Sequence, residues 1–147
     1  MTSIQITPAT PSDLPAVLAL LSANGLPHDG LAEHFDTALV ARDGDTVVGS
    51  AALERYGAEA LLRSVAVAAA QQSQGVGRQL LVAALYLART HGIRRVYLLT
   101  TTAASYFSRY GFVPVARADV DPAVQVSAEF QGACPARAAL LRLDLGG

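Results

Sequence analysis

The sequence predicts an α/β (α+β) protein: a mixed sheet with helices packed on it. Two patterns carry that reading. Short apolar or alternating runs bounded by Gly, Asp and Pro recur along the chain, whereas other segments repeat their apolar residues at spacings of three and four. Size agrees: 147 residues, 52% hydrophobic and 16% charged, suit one domain with a real core. No Ser/Gly or Pro tract divides the chain and no internal repeat is evident, so residues 1–147 read as a single domain.

Ile4 and Ile6 alternate with polar neighbours, a short strand ended by Pro8 and Pro11. Ser12 and Asp13 have the chemistry of a helix N-cap and first turn. Leu14, Val17, Leu18 and Leu21 then give an amphipathic helix to about Ala23, and Asn24-Gly25 stops it. Residues 26–35 read as loop or short helix. From Ala38 the period changes to that of strands. Ala38–Ala41, a turn at Asp43-Gly44-Asp45, and Thr46–Leu53 form a hairpin. A second turn at Tyr56-Gly57 leads into Ala60–Val67, apolar at nearly every position, as in a strand covered on both faces.

The polar loop Gln71–Gly77 follows, then a long helix with Val76, Leu80, Leu81, Ala84, Leu87 and Ala88 on one side, closed by His91-Gly92. Ile93–Thr100 is a buried-type strand. Thr101-Thr102-Ala103 opens a short helix carrying Tyr106 and Phe107 and ended by Gly111. Phe112–Val115 starts another strand, and Ala139–Leu145 is an apolar last one.

Composition excludes several functions. With 11 basic and 12 acidic residues the formal net charge is -1, so no basic excess exists to hold a nucleic-acid backbone. The N-terminus lacks a basic segment followed by an apolar one, and no apolar run approaches the ~20 residues of a membrane span. The expectation is a cytoplasmic protein with neither nucleic acid nor membrane as partner. The lone Cys134 cannot form a disulfide or a multi-thiolate site within the chain. His28, His34 and His91 are too scattered for zinc, and no metal is expected.

Chemistry concentrates in strand, then Gln72-Ser73-Gln74-Gly75-Val76-Gly77, then helix. The two glycines let the main chain approach a ligand closely, and a helix N-terminus offers unpaired N–H groups and a favourable dipole to anions. That is a diphosphate cradle, with Arg78 available for a further phosphate. It is not a Walker loop, since Arg78-Gln79 stands where Gly-Lys-Ser/Thr chemistry is needed. It is not the dinucleotide fingerprint either, since Leu80 occupies the third small-residue place.

The loop and its setting resemble the GNAT superfamily of N-acetyltransferases over nearly the whole chain: a three-strand meander ending Leu62–Val67, the loop, a long helix, a strand, then Ala103 to Gly111-Phe112. Within it, Tyr97–Ala103 with Tyr106-Phe107 and Gly111-Phe112 looks like N-acetylglutamate synthase-type amino-acid acetyltransferases. Leu61–Ser64, Glu129-Phe130 and Ala133–Ala136 look most like the second type of arsenic-resistance N-acetyltransferases.

The resemblance implies the GNAT fold: a mixed central sheet of about six or seven strands, helices on both faces, and two neighbouring parallel strands that splay apart. Acetyl-CoA would lie in that gap as cosubstrate. Val65, Ala66 and Val67 would run beside the pantetheine arm, their main chain pairing with it as an added strand does. Gln72, Ser73, Gln74, Gly75, Val76, Gly77 and Arg78 would hold the diphosphate, and Thr100 would bond coenzyme A or cap the next helix, a role Thr102 also fits. The acceptor would be a small-molecule amine, attacking the thioester directly once neutral.

Glu54 is the candidate base and Glu129 the second, each with a solvated carboxylate as the alternative. The family's acid is a tyrosine four residues before Gly-Phe, but that place holds Phe107. Tyr106 is one residue earlier, turned by about 100° on a helix, and Tyr106, Ser105 or water would have to serve. Arg63 interrupts an apolar strand and needs an anionic partner. That partner is either a substrate carboxylate held bidentately, with Glu129 also facing substrate, or an internal carboxylate such as Glu54 or Glu129. Cys134 is read as a small buried residue, with an arsenic-meeting thiol as the alternative, and His28 and His34 as surface residues or acceptor contacts.

Two functional classes follow. One is an acetyl-CoA-dependent N-acetyltransferase for an amino-acid-like amine, arsenic-bearing or other toxic analogues included. The other is a non-catalytic acyl-CoA-binding sensor, suggested by Phe107. The apolar C-terminal strand is a candidate homodimer contact.

Overall fold

The computed structural model describes residues 4–133 and 138–146. In chain order the regular elements are β1 (Ile4–Pro8), α1 (Leu14–Ala23), β2 (Ala38–Asp43), β3 (Thr46–Tyr56), β4 (Glu59–Val67), α2 (Val76–Thr90), β5 (Arg95–Thr100), α3 (Ala104–Ser108), β6 (Val113–Pro114), α4 (Pro122–Gln125) and β7 (Ala139–Asp144). They build one seven-stranded sheet in the order β1-β2-β3-β4-β5-β7-β6. β1 to β4 form an antiparallel meander, β4 and β5 are parallel, and β5, β7 and β6 are again antiparallel. The parallel pair needs a crossover, and α2 supplies it.

The strand pattern seats a helix on each face. Along β2, Leu39 and Ala41 join the cluster under α2, whereas Ala38 and Val40 join the cluster under α1. That two-sided burial explains why the strands read as continuous apolar runs. Helix α2 turns Val76, Leu80, Leu81, Ala84 and Ala88 to the sheet. It lies so close that a Cβ on Gly49 would come within 2.8 Å of Leu80 Cδ1. A third cluster, Leu61, Tyr97, Val120, Val124 and Leu140, is covered by α4.

Several boundaries move for identifiable reasons. The first cap is Thr10, not Ser12: the Thr10 N–H donates to Asp13 Oδ2 at 2.8 Å, and a 3-10 turn over Pro11–Asp13 leads into α1. Residues Leu31–Thr37 form 3-10 turns. Ile93 belongs to the turn that closes α2, its N–H bonded to Ala88 O at 2.9 Å, and β5 starts at Arg95. The apolar C-terminal strand, β7, lies inside the sheet between β5 and β6. Its apolarity is accounted for there and no longer argues for a dimer. Among the described residues no helix is long and apolar enough to cross a membrane, and no group of three or more His, Cys, Asp or Glu is placed to hold a metal ion.

Asp13 also ties the first turn to β2. Arg42 grips its carboxylate through Nη1 at 3.0 Å and Nη2 at 2.5 Å. This bidentate pair holds the Asp13 carboxyl below the usual carboxylate range. A carboxylate depressed in the folded state contributes stability above its unfolded value and loses it as pH falls through the folded one. Asp13→Asn should therefore cost roughly 1–3 kcal/mol at neutral pH in urea unfolding. The difference from wild type should vanish as pH drops below the usual carboxylate range. A difference that persists in acid would mean the carboxylate charge is not its source.

Candidate active site

The site begins where β4 and β5 stop pairing. They match over three positions only: Glu59 with Arg95, Ala60 with Val96, and Leu61 with Tyr97. Beyond these, β5 continues on β7 as far as Thr100, and β4 continues on β3. A cleft of about 560 Å³ opens between them. β4 lines it with Leu62, Arg63, Ser64 and Val65, and β5 with Leu98, Leu99 and Thr100. The 24–29 loop, Thr101 to Ala103, Phe107 and Glu129 complete the walls.

A β-bulge makes the strands part. Ser50 pairs with Ala66 and Ala52 with Arg63, so Ser64 and Val65 together oppose Ala51. Ser64 takes the left-handed conformation, φ 60°. The turned peptide is pinned by the Ser50 hydroxyl, which donates to Ser64 O at 2.6 Å. A non-glycine residue there costs roughly 1–2 kcal/mol, and bulges of this kind gather beside functional sites.

The cradle lies at the start of α2. Ser73 and Gly75 both have positive φ, 68° and 81°. Gly75 is the N-cap, and no side chain caps the helix or places an acid in its first turn. The first helical bond is Gln79 N–H to Gly75 O at 3.1 Å, which leaves the amides of residues 76–78 outside the helix's own bonding. Arg78 is exposed beside them. Gln72 folds back, Nε2 donating to Val67 O at 3.0 Å. These bare amides and one cation fit a diphosphate chemically. The space is narrow: a Cβ on Gly77 would lie 3.4 Å from the Tyr106 hydroxyl.

At the other end, Arg63 is wholly out of solvent, its side chain 0% exposed. Nη1 donates to Glu54 Oε2 at 2.8 Å and to Asp29 O at 2.5 Å, and Nη2 to Pro27 O at 3.1 Å. Nε lies 3.1 Å from Ser64 Oγ and 3.4 Å from Glu129 Oε2. Of the two roles read for Arg63, the internal ion pair is the one present, and it takes both carboxylates. Glu54 is not a solvated carboxylate: its side chain is 1% exposed and does not line the cleft. Its other oxygen accepts from Tyr56 Oη at 2.5 Å, with His34 Nε2 at 3.8 Å. Burial, with Glu54 beside it, pushes the Tyr56 hydroxyl pKa upward, so Tyr56 keeps its proton as donor. Glu54 is thus held between Arg63 and Tyr56. Glu129, 4% exposed, does line the cleft.

The other expected residues divide. Val65 and Thr100 line the cleft. Ala66 is buried in the cluster under α1, and Val67 packs toward Gly77. Thr100 also accepts from the Ala103 N–H at 3.0 Å, but Ala103 is itself the N-cap of α3 and neither Thr100 nor Thr102 caps the helix with its side chain. Phe107 fills the cleft wall. Tyr106 is not in that wall. It sits near Gly77 with its ring against Tyr110, and burial raises its pKa, so it is displaced from the expected acid position. Exposed His28 bonds Ser22 at 2.9 Å. Cys134 lies outside the described residues.

The sequence model of the acetyltransferase (GNAT) domain matches residues 34–114, which carry β2 to β4, the cradle and the parting strands. The chain belongs to the GNAT acetyltransferase family. Its seven-stranded sheet with helices is the GNAT fold. No curated protein matches the sequence. Among solved structures, N-acetylglutamate synthase from Neisseria gonorrhoeae, complexed with coenzyme A and L-arginine, is similar with TM-score 0.84 and 22% identity. That match covers 100% of this chain, which spans only 34% of the synthase. Rv2747 from Mycobacterium tuberculosis, in complex with CoA and NLQ, is similar with TM-score 0.81 and 25% identity over 97% of this chain and 99% of that one. Ard1 from Thermoplasma volcanium gives TM-score 0.76 and 21% identity over 98% and 99%.

The bulge was not visible in the GNAT pattern of this sequence because no glycine marks it. Ser64→Val should lose roughly 2 kcal/mol or more in urea unfolding, since β-branching at positive φ is strained, while Ser64→Gly should lose about 1 kcal/mol or less. Equal losses would show that the conformation of Ser64 is not what costs.

Proposed function

We propose that this chain transfers acetyl from acetyl-CoA to the amine of a small, amino-acid-like acceptor. One observation carries the reading: β4 leaves β5 after Leu61, and its far end meets the bare N-terminus of α2, where a Cβ on Gly77 would lie 3.7 Å from Val67 Cγ2. A slot with a strand edge on one side and an anion cradle at its end suits a diphosphate-bearing pantetheine. The main chain of Val65 and Val67 would pair with the arm, the amides from Gln72 to Gly77 with Arg78 would hold the diphosphate, and Thr100 would face it from β5. Coenzyme A in two of the similar structures supports this use of the gap. Bound acetyl-CoA supplies an activated acyl carbon.

The rest falls to the chain's own residues. The acceptor enters at the Arg63 and Glu129 end, against the 24–29 loop. Its nitrogen must be neutral to attack. Glu129 is the buried carboxylate lining the cleft, and it takes the amine proton. With Phe107 at the usual acid place and Tyr106 elsewhere, water protonates the leaving sulfur. Amino acids are the first acceptors to try, given the resemblance to amino-acid acetyltransferases. Arsenic- and phosphorus-bearing analogues join the panel because residues 61–64 and 129–136 resemble the arsenic-resistance group.

The test is free-thiol release from acetyl-CoA across that panel, with coenzyme A binding followed by calorimetry. Release that depends on one acceptor is expected, and Gly75→Val should abolish both binding and release by forcing a β-branched residue into φ 81°. Binding without release for any acceptor would favour the acyl-CoA sensor, and no binding would end the reading.

Glu129→Gln separates base from bystander. It should lower kcat/KM by roughly 10²- to 10⁴-fold and leave coenzyme A affinity within about threefold. An unchanged kcat/KM would exclude Glu129 as base.

A further inference from the structure

We infer that Arg63 is a positioning residue: it shapes the acceptor half of the cleft by holding the 27–29 loop and Glu129 together, and it does not receive an acceptor carboxylate. A guanidinium has five N–H groups. Here Nε and both Nη1 protons are engaged by Ser64, Glu129, Glu54 and Asp29, and one Nη2 proton by Pro27. Among the described residues, one N–H is left over, on Nη2. Bidentate capture of a carboxylate needs two parallel N–H groups, so an incoming acid would have to displace an existing partner. Two carboxylates already outweigh the one buried cation, and a third would add to that negative excess out of water.

The partners show what the cation does instead. Pro27 O and Asp29 O belong to a loop without regular structure that walls the cleft. Glu129, far along the chain, lines the cleft as well. The loop passes close over the guanidinium: a Cβ on Gly30 would lie 3.5 Å from Nη1 and 3.2 Å from Ala128 Cβ. Gly30 has φ +79°. Glycine at this point lets the two walls meet over Arg63, and Glu54 from β3 fixes the guanidinium from behind. Lysine cannot substitute, because one ammonium cannot reach partners in so many directions.

The test compares Arg63→Lys with wild type in two ways. Hydrogen exchange does not depend on the proposed reaction. The amides of Leu26 and Leu31, bonded to Leu21 O and His28 O, should exchange roughly tenfold faster, with mid-helix α2 amides unchanged. The kinetic arm rests on the acetyl-transfer reading. For the best amino-acid acceptor and for its α-amide, KM should rise by the same factor, roughly tenfold or more, with coenzyme A affinity within about threefold. Gly30→Ala, which leaves the charges untouched, should reproduce both effects if Arg63→Lys fails to fold.

A rise in KM for the acid alone would make Arg63 a carboxylate receptor and overturn the inference. So would exchange that is unchanged, or accelerated uniformly across the protein. Failure of thiol release with every acceptor would count against the transferase reading only, and the exchange result would still decide the role of Arg63.

Discussion

A guanidinium wholly removed from water sets the terms on which four segments of this chain meet. Burying a cation is tolerated only with close anionic partners and with its N–H groups bonded. Arg63 meets that demand by drawing in Glu54 from β3, Glu129 from near the C-terminal end, and two carbonyls from a loop near the N-terminal end. β3 and β4 already pair in the sheet, and Arg63 ties the other two segments to them. Glu54 in turn is held by Tyr56, whose hydroxyl keeps its proton because burial opposes ionisation. The acceptor half of the cleft is thus built from polar bonds, whereas the α2 side of the sheet is built from apolar packing.

Backbone strain is distributed with similar economy. The described residues contain two non-glycine residues with positive φ, Ser64 and Ser73, and both adjoin the proposed ligand path. Ser64 turns β4 away from β5, and Ser73 bends the loop toward the N-cap of α2. The left-handed conformation at each costs energy that the rest of the fold must supply. Without the first, the parallel strands would continue to pair and the gap would close. Without the second, the approach to Gly75 would run differently.

The parts of this fold written in local pattern were readable beforehand. The meander, α2 and the glycine-bearing loop follow from periods of two and 3.6 and from turn chemistry, each contained in a short window. The need for an anion near Arg63 also followed from its place in an apolar strand. What was hidden depends on distance along the chain or on unmarked backbone. Glu54 could be read as a base or as the partner of Arg63, because the contact that decides between them runs across the β3–β4 pair. Tyr106 looked like a substitute acid because helical rotation alone does not say which neighbour, here Gly77, receives the side chain. Ser64 gave no sign of a bulge, since serine carries none of the permissiveness of glycine. The cap moved from Ser12 to Thr10 because Asp13 serves as the reciprocal partner of the earlier residue, so the pair had to be read together.

The brief match between β4 and β5 has a further meaning. The sheet consists of two consecutive stretches of chain, residues 4–67 and 95–144, and the polypeptide crosses from one to the other once. Three rungs and the packing of α2 are the seam between them. A molecule lodged in the widening part of that seam acts as mortar between two half-sheets, replacing rungs that the bulge removed. Substrate capture and cohesion of the fold are in this respect the same event, so the melting temperature of the protein becomes a gauge of how full its cleft is.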